Sequence, residues 1–198
     1  MKSAPWAFGV RRVEDAPLPE IAKRVLPSQP LSLEQASLET RVLVLLSEDV
    51  RSSLLQTMPL SREVEEGGFL FGRVFRDLDV MDRLLVLVTE AKRATYAYGS
   101  REELTFGVES FAELQRRLHE YDGEAGILGW YHTHLLPASE PEGLSVVDRD
   151  LHFTTFRRPW QVAGLLCVDP EQDPKGRRLS FYERQGEEMI RCAVEVLG

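Results

Sequence analysis

Two of the four histidines lie one residue apart at the end of the run "GWYHTH", which finishes at His134. Side chains two apart in a strand point to the same face, so His132 and His134 are expected to project side by side. Two imidazoles placed in this way can each give one nitrogen to a single metal ion. Taken alone, however, such a pair on a strand is more often unrelated to metal binding.

A Ser-x-x-Asp sequence follows the histidine pair and supplies a third candidate ligand. Asp148 lies in the first turn of the helix that Ser145 is predicted to begin, where it can face back towards the end of the strand. Two histidines and one carboxylate leave a tetrahedral Zn²⁺ with one open position, as in catalytic zinc sites. By itself, Ser145 with Asp148 is also an ordinary capping box.

A pair of glutamates, Glu65 and Glu66, stands directly before the apolar run of "EEGGFLFG". A water molecule activated by zinc needs a base to take its proton. Glycine lets backbones approach closely, which would suit a carboxylate held near a metal. Glu65 is otherwise one charge among several in "REVEE", so it is the ordered combination with the histidines and Asp148 that favours a catalytic metal site.

This ordered combination, Glu-x-x-Gly before a strand, then Gly-Trp-Tyr-His-Thr-His, then Ser-x-x-Asp, resembles the JAMM (MPN+, Mov34-type) zinc metalloproteases. The resemblance spans roughly residues 41–185. It implies an α/β fold with a mixed β-sheet sandwiched between helices, an MPN/JAB-like and cytidine-deaminase-like architecture. It also implies Zn²⁺ as the cofactor, with Glu65 as the catalytic glutamate, Ser145 as the hydroxyl that helps to hold the oxyanion, and His132, His134 and Asp148 as the zinc ligands.

The loop between His134 and Ser145 departs from the family pattern. It is longer than usual, and Leu135 stands where a proline commonly follows the second histidine, with Pro137 two residues further on. The metal site should survive this change, because the additional residues lie in a loop between two anchored elements. Glu140 and Glu142 in this loop are expected to form an acidic rim at the substrate cleft.

The compact chain looks more like the bacterial and archaeal members, which act on ubiquitin-like or sulfur-carrier proteins that end in Gly-Gly. The resemblance therefore implies an isopeptidase or peptidase that cleaves after such a tail, in deconjugation or in precursor processing. The alternatives are a non-catalytic MPN-type scaffold and a metal-binding interaction module in a larger complex.

The chain divides into a proline-rich arm and a domain that carries all of these residues. Residues 1–40 hold five of the eleven prolines and are predicted to form a proline-rich N-terminal arm, with a short helix after Ser32. Residues 41–198 would form the catalytic domain. Strands are predicted at 41–46, 67–75, 83–91, 125–134, 161–169 and 178–184. The pattern of the final run "EEMIRCAVEVL" fits either a helix or a strand. Such a mixture favours an α/β or α+β sandwich.

Within residues 41–198, three helices are predicted from serine caps. Ser47 precedes two acidic residues, Ser145 precedes Asp148, and Ser110 with Glu113 fits a capping box for an amphipathic helix that Gly123 would end. His152 lies one turn after Asp148 on the same helix face. It is predicted either to lie near the metal or to have a packing or surface role.

Charge and composition exclude some classes of function. The formal net charge of −8 argues against nucleic-acid binding, which relies on Lys and Arg. No apolar run approaches the ~20 residues that a membrane helix needs. The N-terminus lacks the apolar block of a secretory signal, so a cytoplasmic location is expected.

Overall fold

The computed structural model describes residues 14–15, 40–77, 80–120, 126–137 and 139–197, without the side chains of 14–15 and 119–120. The predicted helix after Ser32, nearly all of the proline-rich arm and the predicted helix end at Gly123 lie outside the described residues. The strands are β1 Glu14–Asp15, β2 Val42–Ser47, β3 Gly67–Arg76, β4 Leu84–Arg93, β5 Ala97–Gly99, β6 Leu104–Phe106, β7 Gly126–Leu135, β8 Val162–Val168, β9 Arg178–Gln185, β10 Glu188–Arg191 and β11 Ala193–Leu197. The helices are α1 Glu48–Ser52, continued by a π-helical turn Ser53–Thr57, α2 Val108–Glu120 and α3 Val146–Thr155.

Most of the described strands belong to one mixed sheet, with the order β10-β9-β8-β7-β3-β4-β2-β11. The pairs β3–β4, β3–β7 and β8–β9 are antiparallel, whereas β7–β8, β2–β4 and β2–β11 are parallel. Residues 14–15 of the arm add β1 beside the end of β3. The predicted mixed sheet of an α/β protein is therefore confirmed, and the ambiguous C-terminal run forms two strands.

The sheet curls until its two ends meet. Strands β10 and β11 lie at opposite ends of the strand order, yet only Cys192 separates them, so the chain passes directly from one end of the sheet to the other. The buried carboxylate of Glu183 on β9 accepts hydrogen bonds from the backbone N–H groups of Arg41 at 2.7 Å and Val42 at 3.2 Å. These contacts join the start of β2 to β9 across the seam.

Two apolar clusters fill the space on either side of the sheet. One contains residues of β2, β4, β7 and β8 together with Val50 and Leu54 of the α1 segment. The other includes Trp130 of β7 and packs against Leu114 of α2 and Leu151 of α3. The helices α2 and α3 thus cover the face of β7 that carries Trp130.

A bulge in β7 alters the predicted alternation of its side chains. Strict alternation along the strand would place Leu128 on the same face as Trp130 and the histidines, but it packs in the opposite cluster. The pairing with β3 shifts at this point, because Gly129 pairs with Leu70 whereas Ile127 pairs with Phe71. Gly129 has a φ of 151°, and a Cβ there would lie 1.9 Å from the carbonyl oxygen of Val162.

Two of the three predicted helix starts are confirmed. The Ser47 hydroxyl accepts from the N–H of Val50, and Ser145 forms a complete capping box with Asp148. The prediction for Ser110 is wrong, because α2 begins two residues earlier, at Val108. Ser110 therefore lies within the first turn, and its buried hydroxyl has no hydrogen-bond partner among the described residues. No helix in the described part of the chain is long and apolar enough to cross a membrane.

Candidate metal centre

The two histidines of β7 converge at the end of the strand. Their Nε2 atoms lie 2.9 Å apart, and their rings are nearly perpendicular, at 78°. His132 is fully buried, while the side chain of His134 is 14% exposed. Of the two imidazoles that meet here, one is therefore buried in the protein interior and the other is partly exposed to solvent.

Asp148 approaches both imidazoles from the first turn of α3. Its Oδ1 lies 3.0 Å from Nε2 of His132, and its Oδ2 lies 3.3 Å from Nε2 of His134. The capping box holds the carboxylate in place, because Oδ2 accepts the N–H of Ser145 at 2.7 Å. The structure therefore brings together the three residues that the sequence predicted as ligands.

The charge states in this group suit a metal ion. Burial lowers the pKa of His132, opposed by Asp148, so that its imidazole is neutral. Burial raises the pKa of Asp148, but hydrogen bonds from His132 and His134 outweigh it and hold that pKa well below its ordinary value. Neutral imidazole and ionised carboxylate are the forms that bind metals.

Glu65 approaches His134 from the residues that precede β3. Its Oε1 is 3.9 Å from Nε2 of His134, and its side chain is almost fully buried. Burial raises the pKa of Glu65 to about 7, against the opposing effect of His134. A carboxyl group with this pKa can both accept and release a proton near neutral pH.

A metal ion could be held here by more than one set of donors. Glu65, His132 and His134 place ligand atoms within 4.8 Å of one another. Asp148 makes the shorter contacts to the histidines, whereas Glu65 stands further back. Nitrogen and oxygen donors of this kind suit Zn²⁺, and either carboxylate could join the two imidazoles as a ligand.

The second glutamate of the pair, Glu66, points away from the histidines. Its carboxylate forms an ion pair with Arg93 and accepts the backbone N–H of Ser61 at 3.0 Å. Of the two adjacent glutamates, only Glu65 therefore reaches the metal donors.

The backbone around Glu65 is held from two sides. Thr133, between the histidines, accepts the N–H of Glu66 on its hydroxyl at 2.8 Å. On the opposite side, the N–H of Glu65 donates to the carbonyl of Ser100 at 2.7 Å. A Cβ at Gly99 would lie 1.8 Å from the carbonyl oxygen of Glu65, so only glycine permits this approach. No local sequence pattern indicates these roles of Thr133, Gly99 and Ser100.

A cavity of about 380 Å³ opens beside Glu65. Its walls come from the start of β3, the residues that follow β4, and β5, and they include the small residues Gly67, Ala94, Ala97 and Gly99. Arg93 and Glu66 also line it. The cavity thus borders Glu65, while His132, His134 and Asp148 are not among its lining residues.

Ser145 is exposed at the start of α3. Its Oγ accepts the N–H of Asp148 at 3.1 Å, so the hydroxyl proton remains available for another acceptor. A group bound next to Asp148 would lie within reach of this donor.

His152 is separate from the metal donors, although it shares a helix face with Asp148. It is fully buried, and its Nδ1 accepts the indole N–H of Trp130 at 3.2 Å. The structure thus places His152 against Trp130 and Phe156 rather than among the metal donors. The side chain of His119 lies outside the described residues.

Arginines of β9 and β10 form hydrogen bonds and an ion pair with the loop from Leu135 to Leu144. Arg178 donates to the carbonyls of Pro137 and Glu140, each at 3.3 Å. Glu142 pairs with Arg191 at 2.8 Å, and its side chain is only 14% exposed. The expectation that both glutamates form an acidic rim is wrong for Glu142, because its carboxylate is paired with Arg191 and largely covered. Glu140 alone can form an exposed acidic rim.

No protein-family model matches the chain, and no curated protein shows significant similarity to it. Among solved structures, the chain is similar to the solution structure of protein DSY2949 from Desulfitobacterium hafniense, a structural genomics target. The two share 18% sequence identity, and the match covers 77% of this chain and 92% of the other, with a TM-score of 0.48. These comparisons leave the function to be argued from the site itself.

Proposed function

We propose that the protein is a zinc-dependent isopeptidase or peptidase that cleaves after the C-terminal Gly-Gly of a ubiquitin-like or sulfur-carrier-like protein. The proposal includes an MPN/JAB-like arrangement of the mixed sheet between helices, as in JAMM metalloproteases. The observation that carries it is the position of Glu65, buried 3.9 Å from His134 but outside the tighter contacts among His132, His134 and Asp148. A simple metal-storage site would not need a second carboxylate with a raised pKa.

The residues of the site would have different roles in the hydrolysis. Zinc held by His132, His134 and Asp148 would act as a Lewis acid that activates water and polarises the scissile carbonyl. Glu65 accepts the proton of the attacking water on its carboxylate and later delivers it to the leaving amine. The burial of the Glu65 carboxylate 3.9 Å from His134 supports this role, because it would hold the base beside the metal position.

Ser145 is suited to stabilise the negative charge on the substrate oxygen. Its hydroxyl is exposed beside Asp148 and already accepts a backbone N–H, so its remaining proton can be donated to the developing oxyanion. One donor of this kind contributes to the rate only if it is positioned before the reaction begins. The capping box provides that position.

The preference for a Gly-Gly tail is supported by the cavity beside Glu65. Several of its lining residues are glycine or alanine. A tail without bulky side chains suits a cavity lined by such small residues.

The proposal is tested with the zinc-loaded protein and two substrates. In the first, a ubiquitin-like protein ending in Gly-Gly is joined to a lysine side chain, and in the second it is joined to a peptide extension. Mass spectrometry of the products should show cleavage directly after the second glycine, which a chelator abolishes. Glu65→Gln should be inactive on both, while Glu66→Gln serves as the matched control. Bound zinc without cleavage of either substrate would favour the non-catalytic scaffold or interaction module.

A further inference from the structure

The candidate metal donors come from two separate elements. His132 and His134 lie on β7, and Asp148 lies on α3. A small rotation or slide of the helix would move the carboxylate away from the imidazoles, whose nitrogens it contacts at 3.0 and 3.3 Å. Some other contact must therefore keep α3 in register with β7 if the donors are to be arranged before the metal binds.

Trp130 lies on the strand side of such a contact. It precedes His132 by two residues on the same face of β7, and the two rings stack with centroids 4.7 Å apart and planes inclined by 20°. Phe106 meets the indole edge-on, and Phe156 stacks on it at 6.2 Å. The indole is fully buried and forms one wall against the imidazole of His132.

His152 lies on the helix side of the contact. It follows Asp148 by one helical turn, so both side chains face β7. Its Nδ1 accepts the indole N–H of Trp130 at 3.2 Å, and its ring stacks on Phe156 at 5.9 Å. The hydrogen bond between Trp130 and His152 is thus a second contact between β7 and α3. It lies one helical turn beyond the contacts of Asp148 with His132 and His134.

We propose that Trp130 and His152 are positioning residues whose hydrogen bond fixes α3 on β7 and so pre-arranges the metal donors. This inference rests on the proposed metal site but not on the hydrolysis. Because the rings of Trp130 and His132 are stacked, the same bond also restricts the orientation of the His132 imidazole.

A role in packing alone would not require a histidine at position 152. Nε2 of His152 is buried and makes no hydrogen bond among the described residues, which is a cost that an apolar side chain of similar size would avoid. Replacing His152 by leucine removes this cost but leaves the indole N–H of Trp130 without its acceptor. The two effects oppose each other, so the metal-free variant is expected to unfold at a temperature close to that of the wild type.

The test measures zinc affinity by competition with a chromophoric chelator, with thermal unfolding of the metal-free proteins in parallel. His152→Leu and Trp130→Phe should each weaken zinc binding by roughly tenfold or more, the size typical of losses around metal ligands. The double variant should be no weaker than the single ones, because both remove the same hydrogen bond. His152→Gln retains an acceptor and should recover much of the affinity.

Phe153→Leu is the matched control, since Phe153 meets the His152 ring edge-on at 6.5 Å and lies under Arg184 but takes no part in the hydrogen bond with Trp130. It should bind zinc like the wild type. Any of three results would overturn the inference. His152→Leu and Trp130→Phe could both bind zinc with wild-type affinity, or the losses of the two single variants could add strictly in the double variant. The third result is an equal loss of affinity in His152→Gln and His152→Leu. If His152→Leu fails to fold, Trp130→Phe and His152→Gln decide the question in the same way. A wild-type protein that binds no zinc would instead reject the metal site itself.

Discussion

Glu66 and Thr133 are joined by two reciprocal hydrogen bonds. The N–H of Glu66 donates to the Thr133 hydroxyl at 2.8 Å, and the N–H of Thr133 donates to the Glu66 carbonyl at 2.7 Å. Thr133 lies between the two metal histidines, and Glu66 follows the proposed base. The backbone segment that carries Glu65 is therefore attached to the strand segment that carries the metal donors, 67 residues further along the chain.

Replacing Thr133 by valine should misplace Glu65 without removing the metal. The buried hydroxyl is lost at nearly constant volume, and the N–H of Glu66 loses its partner. Zinc content should stay unchanged while kcat falls, up to roughly 10²-fold if Glu65 shifts by about 1 Å. Thr133→Ser retains the hydroxyl and should keep most of the activity. Equal kcat values for the valine and serine variants would show that this hydrogen bond does not position the base.

Substituting the two adjacent glutamates should give different results. Glu65→Gln should retain zinc and lose hydrolysis by ~10²–10⁴-fold, the usual contribution of a general base. Glu66→Gln weakens an ion pair with the exposed Arg93 and should change the rate little. Rates are compared at equal zinc content, measured by atomic emission. An active Glu65→Gln with an inactive Glu66→Gln would mean that the roles are reversed.

Glu65 should make the metal-free protein less stable as the pH rises. Burial raises its pKa from 4.5 to about 7, so the folded state retains a proton that the unfolded state has already released. Between these values the folded state binds more protons, and the free energy of unfolding falls with increasing pH. Glu65→Gln removes this penalty.

Urea denaturation in the presence of a chelator tests this expectation. The stability advantage of Glu65→Gln over the wild type should grow from about pH 5 to about pH 8 and then level off. Glu66→Gln should show no comparable growth, because the Glu66 carboxylate has Arg93 as its partner. A pH-independent difference between Glu65→Gln and the wild type would refute the environment assigned to Glu65.

The two glutamates of the loop after β7 should respond differently to charge reversal. Glu140→Lys alters an exposed side chain and should raise KM for a substrate with a basic tail, with kcat unchanged and the effect lost at high salt. Glu142→Lys places a cation beside Arg191 and should lower the melting temperature. Steady-state kinetics at two salt concentrations and thermal unfolding check both expectations. A lower kcat for Glu140→Lys would place the loop in the catalytic machinery.

The parts of the site that depend on local patterns were predictable from the sequence. An apolar strand ending in His132 and His134, and a capping box of Ser145 and Asp148, each follow from neighbouring residues, and both are present. Position within the element matters as much as the pattern, as Ser110 shows, because the same Ser-x-x-Glu spacing has no capping role inside a helix that has already begun.

Contacts between distant segments could not be predicted in this way. The alternation expected along β7 fails at Leu128, because a bulge with a left-handed Gly129 shifts the register against β3. The partners of Glu66, Glu65 and Trp130 are Thr133, Ser100 and His152, each at least 22 residues away. Such pairings depend on how strands and helices pack, and no pattern in either segment alone specifies them.

The most direct test of the metal centre is a crystal structure of the zinc-loaded wild type with anomalous diffraction recorded at the zinc absorption edge. We expect one anomalous peak per chain at ~2.0–2.2 Å from Nε2 of His132, Nε2 of His134 and a carboxylate oxygen of Asp148. The Glu65 carboxylate should lie outside this bonding distance and face the open position. A peak bonded to Glu65 in place of Asp148, or no peak at these residues, would contradict the assignment of ligands and base.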